Sequence, residues 1–345
     1  MEFIDMNNIK TSDFPYQEKL TKIITIENEH LKVVLSSYGA GIYQISYKKD
    51  QRWIETLLTP IHYEDYLKSK SYYGKTIGRA AGRVFSKPYE IDHQTWTVTP
   101  DEGQNSMLHG GAEGLSFQNF DVEEISNQSE KTRVIFKNIS NDEVHGIPGT
   151  LTLYVHYILN GESLMMEYHA VSDADTICNL TNHAYFNLEE HKDSILNHEM
   201  QINSEHYIDV DDHFGYAGEK SVENTAFDFR VLHPIKNFFD QVKDTAYRGY
   251  DHVWQVNQHH HATLISKKSG IGLHVYSDTP SIVVYTHNFK SPYLLNDHAQ
   301  SGIHQAITFE CQKEAGCLFY KGRASLILKK GEQYTHKITY TYFSR

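Results

Sequence analysis

Several short stretches of this chain hold side chains that could move protons or grip a hydroxyl-rich ligand. The densest is residues 179–188, NLTNHAYFNL, where His183 sits among Asn179, Thr181, Asn182 and Asn187, interleaved with Leu180, Ala184, Tyr185, Phe186 and Leu188. Buried amides must each find a partner, so such a density suits a segment built to aim its histidine, whose proton affinity lies near neutral pH. A partly buried strand with an inert, hydrogen-bonded histidine is the competing reading, and the other stretches must decide. In ITFECQ, residues 307–312, Glu310 ends an apolar run. Burial there would raise its pKa toward that of a general base; a strand-end Glu facing solvent is the alternative. RGYDHVW, residues 248–254, sets Asp251 among aromatics. That mixture fits a pyranose, which presents apolar C–H faces together with hydroxyls, although a surface turn reads the same way. GKTIGRAAGRV, residues 74–84, leaves room around Arg79 and Arg83, whose forks of donors could bind a sugar hydroxyl or an anion. In SMLHGG, residues 106–111, two glycines after His109 would let a ligand approach the backbone, or form a tight turn.

Other chemistries find less support. The glycine spacing of residues 74–84 is not followed by Gly-Lys-Ser/Thr, which rejects a nucleotide loop. No Gly-x-Ser-x-Gly elbow or reactive cysteine context supports acyl transfer. His259, His260 and His261 are consecutive and cannot all face one ion from an extended chain; they fall in an expected turn, and no metal is called for there. Cys178, Cys311 and Cys317 are too few, and odd in number, for a disulfide framework. A net charge of -12 without a basic stripe argues against nucleic acid and for a small neutral ligand. Neither a secretory leader nor a long apolar run is present, so we expect a cytoplasmic protein with no membrane partner.

These residues must be positioned by strands. Apolar residues recur with a period of two: Leu31, Val33 and Leu35; Tyr89 and Ile91 against Trp96 and Val98 around a turn at Asp92-His93; Leu151 to Leu159, then Leu164 to Ala170 after an Asn160-Gly161 turn; and Ile338 to Tyr342. Short helices are expected within residues 60–70 and 234–243. The 24 Tyr and 16 Phe favour strands. No linker or composition shift cuts the 345 residues, which predicts one large all-β domain over residues 1–345, an antiparallel β-sandwich.

Taken in order, GRAAGRV, SMLHGG, NLTNHAYFNL, GYDH and FECQ, with AFDFR at 226–230 and LKKGEQY at 328–334, resemble the aldose 1-epimerase (galactose mutarotase) family over nearly the whole chain. The resemblance implies that family's large β-sandwich and the interconversion of α and β anomers of free aldoses, galactose and glucose first. It implies His183 as the acid that protonates the ring oxygen and Glu310 as the base that takes the C1 hydroxyl proton. His109, Arg83 and Asp251 would bind the sugar, with Arg79 structural. Two proton-transfer groups suffice for the chemistry, so no metal or cofactor is expected, and the partner is a small sugar. The chain departs from the family pattern at Gly82, where many relatives carry Asn, and at Val283, where they carry Gln; each change removes or moves a donor near the sugar. A sugar-phosphate 1-epimerase would need further cations, and a non-catalytic sugar-binding module would not need the acid and base. Between monomer and homodimer the sequence does not choose.

Overall fold

The computed structural model describes residues 8–128, 131–210, 216–296, 302–319 and 325–345, apart from the side chain of Cys317. Among these residues the chain is an antiparallel β-protein with a nine-stranded, a six-stranded and a five-stranded sheet, joined by two-stranded pairings. Apolar residues from all three large sheets, among them Ile24, Phe136, Leu153, Trp254, Phe309 and Tyr340, fill one continuous core, as sheet-on-sheet packing requires.

The expected elements are present, with shifts. Helices occupy Tyr63–Lys68 and Lys236–Phe239. The hairpin at Asp92-His93 pairs Tyr89 with Trp96, both turn residues having positive φ, as a type I′ turn needs. The next hairpin pairs Asn160 with Ser163, so Gly161 and Glu162 form its turn and Asn160 closes the ladder. His260 and His261 open a strand rather than a turn. The hairpin of Ile9–Tyr16 and Lys19–Glu27, which precedes the first legible alternation, starts the five-stranded sheet.

The six-stranded sheet carries the site. We label its strands β1 (Tyr185–Phe186), β2 (His206–Val210), β3 (Tyr216–Ser221), β4 (Asp251–Gln255), β5 (Ser281–Tyr285) and β6 (Ile307–Cys311); their spatial order is β1-β6-β5-β4-β2-β3. Alternation divides the sheet into two faces. His252, Trp254, Ile282, Val284, Ile307, Phe309 and Cys311 are buried on the core side. Ile208, Asp251, Val253, Val283, Tyr285 and Glu310 point to the other side and line a cleft.

Candidate active site

Residues 179–188 form a strap across the edge of this sheet. Thr181–Asn182 pairs with Thr76–Ile77, and β1 pairs with β6, so His183 is held between two short ladders. Its backbone is pinned as well: His183 N donates to Lys75 O (3.1 Å) and His183 O accepts from Gly74 N (2.9 Å). The asparagines are staples. Asn179 Nδ2 donates to Ala81 O and Lys313 O, Asn182 Nδ2 to Gly74 O, and Asn187 Nδ2 to Asp193 O and Gln305 O. The amide density marks a backbone fixed from several sides, with His183 buried at its centre.

Glu310 lies on β6, next to β1, so the ladder that holds the strap also sets the distance between the two groups. His183 Nε2 is 3.5 Å from Glu310 Oε1, and His109 Nε2 is 3.9 Å from Glu310 Oε2. His109 follows Ser106–Leu108, which pairs with Arg83–Phe85. The backbone of Gly82 receives it: Gly82 N donates to His109 Nδ1 (3.1 Å), and His109 N donates to Gly82 O (2.9 Å). Gly82 has φ +83°, and an added Cβ would lie 2.9 Å from Gln312 Nε2 and from Ala315 Cβ. The conformation and the close contacts both favour glycine.

Desolvation sets the protonation states. Burial pushes His183 down to about 4 and holds His109 well below the usual imidazole range, with His183 and Arg83 adding to the effect. Burial, followed by the nearby Asp251, raises Glu310 well above the ordinary carboxylate range, against a small opposing contribution from the Thr308 hydroxyl. Asp251, half-buried on β4, is pushed up to about 6 by desolvation, which Arg83 partly offsets. Burial thus opposes charge on both His183 and Glu310 and favours the neutral form of each.

His109, His183 and Glu310 also bring three possible ligand atoms within 4.8 Å of one another. Their hydrogen bonding does not suit a metal. Gly82 N–H occupies Nδ1 of His109, so the neutral ring carries its proton on Nε2, the atom that faces Glu310. A metal at Nε2 would force that proton onto Nδ1, against the Gly82 N–H.

His183, Glu310, His109, Arg83 and Asp251 all line the cleft, whose volume is about 590 Å³. Arg79 does not. It is buried, and its guanidinium donates to the carbonyls of Ser140, Ile147, Pro148 and Gly149. Tyr72 is a site residue that the sequence did not reveal. Its ring stands edge-on to His109 at 4.8 Å and tilted against His183 at 5.7 Å. The signal was its place two residues ahead of the glycine-rich motif. Lys70, Lys87 and Lys290 also reach the cleft from separate segments.

The family model for aldose 1-epimerase matches residues 22–341. The chain is 32% identical over 283 residues to an aldose 1-epimerase of Haemophilus influenzae, covering 80% of each. It is 30% identical over 319 residues to galactose mutarotase of Homo sapiens, covering 90% of this chain and 91% of that one. Among solved structures, an aldose epimerase homologue from C. elegans matches with a TM-score of 0.85 at 25% identity, over 94% of this chain and 99% of that one. A galactose 1-epimerase from Lactobacillus acidophilus matches with a TM-score of 0.83 at 27% identity, over 97% and 99%.

Proposed function

The chain belongs to the aldose 1-epimerase family of isomerases, which act on small sugars, and we propose that it interconverts the α and β anomers of free aldohexoses, with galactose and glucose as first candidates. The observation that carries this reading is the buried His183–Glu310 pair, 3.5 Å apart and lining the cleft. The anomeric hydroxyl and the ring oxygen hang on the same carbon, so two groups this close can reach both. Glu310, as carboxylate, takes the proton of the C1 hydroxyl while His183, as imidazolium, protonates the ring oxygen; the C1–O5 bond breaks and a free aldehyde forms. Burial favours the neutral form of each group, from which the reacting form is reached by moving one proton from Glu310 to His183. Rotation about C1–C2 and reclosure with the roles reversed yields the other anomer.

His109 Nε2–H supports the ring oxygen, and Arg83 and Asp251 hold hydroxyls farther along the sugar. Each positioned proton transfer is worth about 10²–10⁴-fold. The spacing also separates this chemistry from glycoside hydrolysis, whose two carboxyl groups stand roughly 5–9.5 Å apart to make room for a covalent intermediate or a water.

Polarimetry of freshly dissolved α-galactose and α-glucose tests the reading. We expect faster decay to an unchanged final rotation, and loss of about 10²-fold or more of that acceleration in His183→Ala and in Glu310→Gln. A folded variant of either kind with wild-type turnover would remove that residue from its role. Sugar binding by calorimetry without acceleration would leave a binding module. Lys70, Lys87 and Lys290 at the cleft favour a second reading, a sugar-phosphate 1-epimerase; exchange confined to phosphorylated aldoses would select it.

A further inference from the structure

Among the described residues, two trios of His and Glu bring a possible ligand atom from each side chain within 4.8 Å of the other two. The first, His109, His183 and Glu310, belongs to the cleft. The second, His156, Glu167 and His169, lies on the nine-stranded sheet, and none of its members lines the cleft. Strand alternation assembles it. Along Leu151–Asn160 and Ser163–Ser172 the buried Val155, Tyr157, Met166, Tyr168 and Ala170 face the core, so His156, Glu167 and His169 share the outer face, each half-buried. His156 is the register partner of Glu167, and His169 stands two residues farther along the same strand, diagonally across from His156. The two imidazole centroids are 4.6 Å apart, and His169 Nε2 is 3.6 Å from Glu167 Oε2.

The two trios differ in the features that decide metal binding. At His109 a backbone N–H occupies Nδ1. Among the described residues no backbone group bonds a ring nitrogen of His156 or His169, so either nitrogen can serve as the acceptor. The neighbouring cations are engaged by carboxylates: Lys337 Nζ lies 2.7 Å from Glu167 Oε1, leaving Oε2 toward His169, and Arg133 is paired with Glu124 at 3.1 Å. Two imidazoles and a carboxylate are a ligand set that holds zinc with a fourth position open to water. Zn–N and Zn–O bonds of about 2.0–2.2 Å put tetrahedral ligand atoms roughly 3.3–3.6 Å apart. The His169–Glu167 separation already has that value, and side-chain rotation suffices to bring in His156, whose backbone is held by continuous strand pairing.

We propose that His156, Glu167 and His169 form a binding site for zinc or a similar divalent transition metal on the outer face of the nine-stranded sheet. It is separate from the cleft and has no part in anomer exchange. The bound ion cross-links the two strands and stabilises the folded chain, because the unfolded chain does not hold the three ligands together.

Calorimetric titration of metal-free protein with ZnCl2, and visible absorption on adding CoCl2, test the site. We expect a single ion per chain, bound with micromolar or tighter affinity, and a thermal midpoint that rises with zinc. Losing an outer-shell partner weakens metal binding about 10–100-fold, so His156→Ala and His169→Ala, which each remove a ligand, should weaken it at least as much. Both should leave galactose anomer exchange of the metal-free protein unchanged. Glu167→Gln, which keeps the shape of the side chain, should also weaken binding, and His183→Ala should retain it. No binding in the micromolar range overturns the proposal. So does binding unaltered in His156→Ala and His169→Ala, which places the ion on other histidines, or binding lost in His183→Ala, which places it in the cleft.

Discussion

At the scale of single residues, the site is governed by what burial does to four ionisable groups. On the proposed mechanism, exchange needs one proton shared between His183 and Glu310. Below the pKa of His183 both members are protonated, and Glu310 cannot accept. Above the pKa of Glu310 both have lost their protons, and His183 cannot donate. With His183 lowered to about 4 from 6.5 and Glu310 raised, the active window widens in both directions. We therefore expect the acid limb of kcat/KM set by the pair to lie near the lowered His183 value, with Asp251 adding a separate step at about 6 as its carboxyl ionises; an acid limb near 6.5 that persists in Asp251→Asn would contradict this arrangement. Val283 is the register partner of Glu310. Val283→Gln would bring an amide dipole beside the carboxyl and stabilise its charged form, so the alkaline limb should move to lower pH. Gly82→Ala forces a side chain into a positive-φ position against Gln312 and Ala315. Such strain costs about 1–3 kcal/mol, and because Gly82 seats His109, kcat/KM should fall with it in steady-state assays. Much of this layer was legible in sequence, because His183 and Glu310 stand in stretches whose polar density or apolar run has a direct chemical meaning. Gly82 was read as a missing donor, since a backbone N–H aimed at an imidazole leaves no mark on residue type. Tyr72 went unread because its neighbours, His109 and His183, are brought to it by tertiary structure.

At the scale of elements, the period of two does more than build a core. In β4, β5 and β6 the same alternation that buries Trp254, Ile282 and Phe309 presents Asp251, Val283 and Glu310 to the cleft. A slip of one residue would exchange the two sets. This is why the all-β reading and the choice of Glu310 were obtained together: both depend on the spacing of apolar residues. The short helices could be anticipated only as regions, because six and four residues are too few to establish a helical period. The strap is different. It makes only two-residue ladders, so its asparagine staples must fix it. Asn187→Ala removes donors from two backbone carbonyls. Leaving buried acceptors unpaired costs roughly 1–3 kcal/mol each, so we expect a lower midpoint in urea and a fall in kcat larger than any change in KM, because the acid would be displaced while the sugar-binding residues stay in place.

At the scale of the whole molecule, the strap rests on an unusual support. Lys75, whose carbonyl accepts from His183 N, is fully buried, with Nζ 5.0–5.2 Å from the ring centroids of Tyr38, Tyr66 and Phe117. Desolvation lowers it from 10.5 to about 7. Between these two values the unfolded chain binds a proton that the folded one does not, so this group makes stability rise with pH across that window. In Lys75→Met the contribution disappears. Thermal unfolding at pH 7 and pH 9 should show the gap between variant and wild type shifting in favour of wild type as pH rises; an unchanged gap would mean the amine stays charged when buried. The order of strands in the nine-stranded sheet has a consequence for biosynthesis. Tyr334–Ser344, which follows both of its neighbours in sequence, lies in the middle of that sheet, between Ser163–Ser172 and Ile271–Ser277. Until it leaves the ribosome, those two strands expose facing, unpaired edges of the kind that recruit other chains. The nascent protein must therefore wait for residues 334–344 to close its nine-stranded sheet, and a chaperone that shields strand edges would act on it most strongly before they emerge.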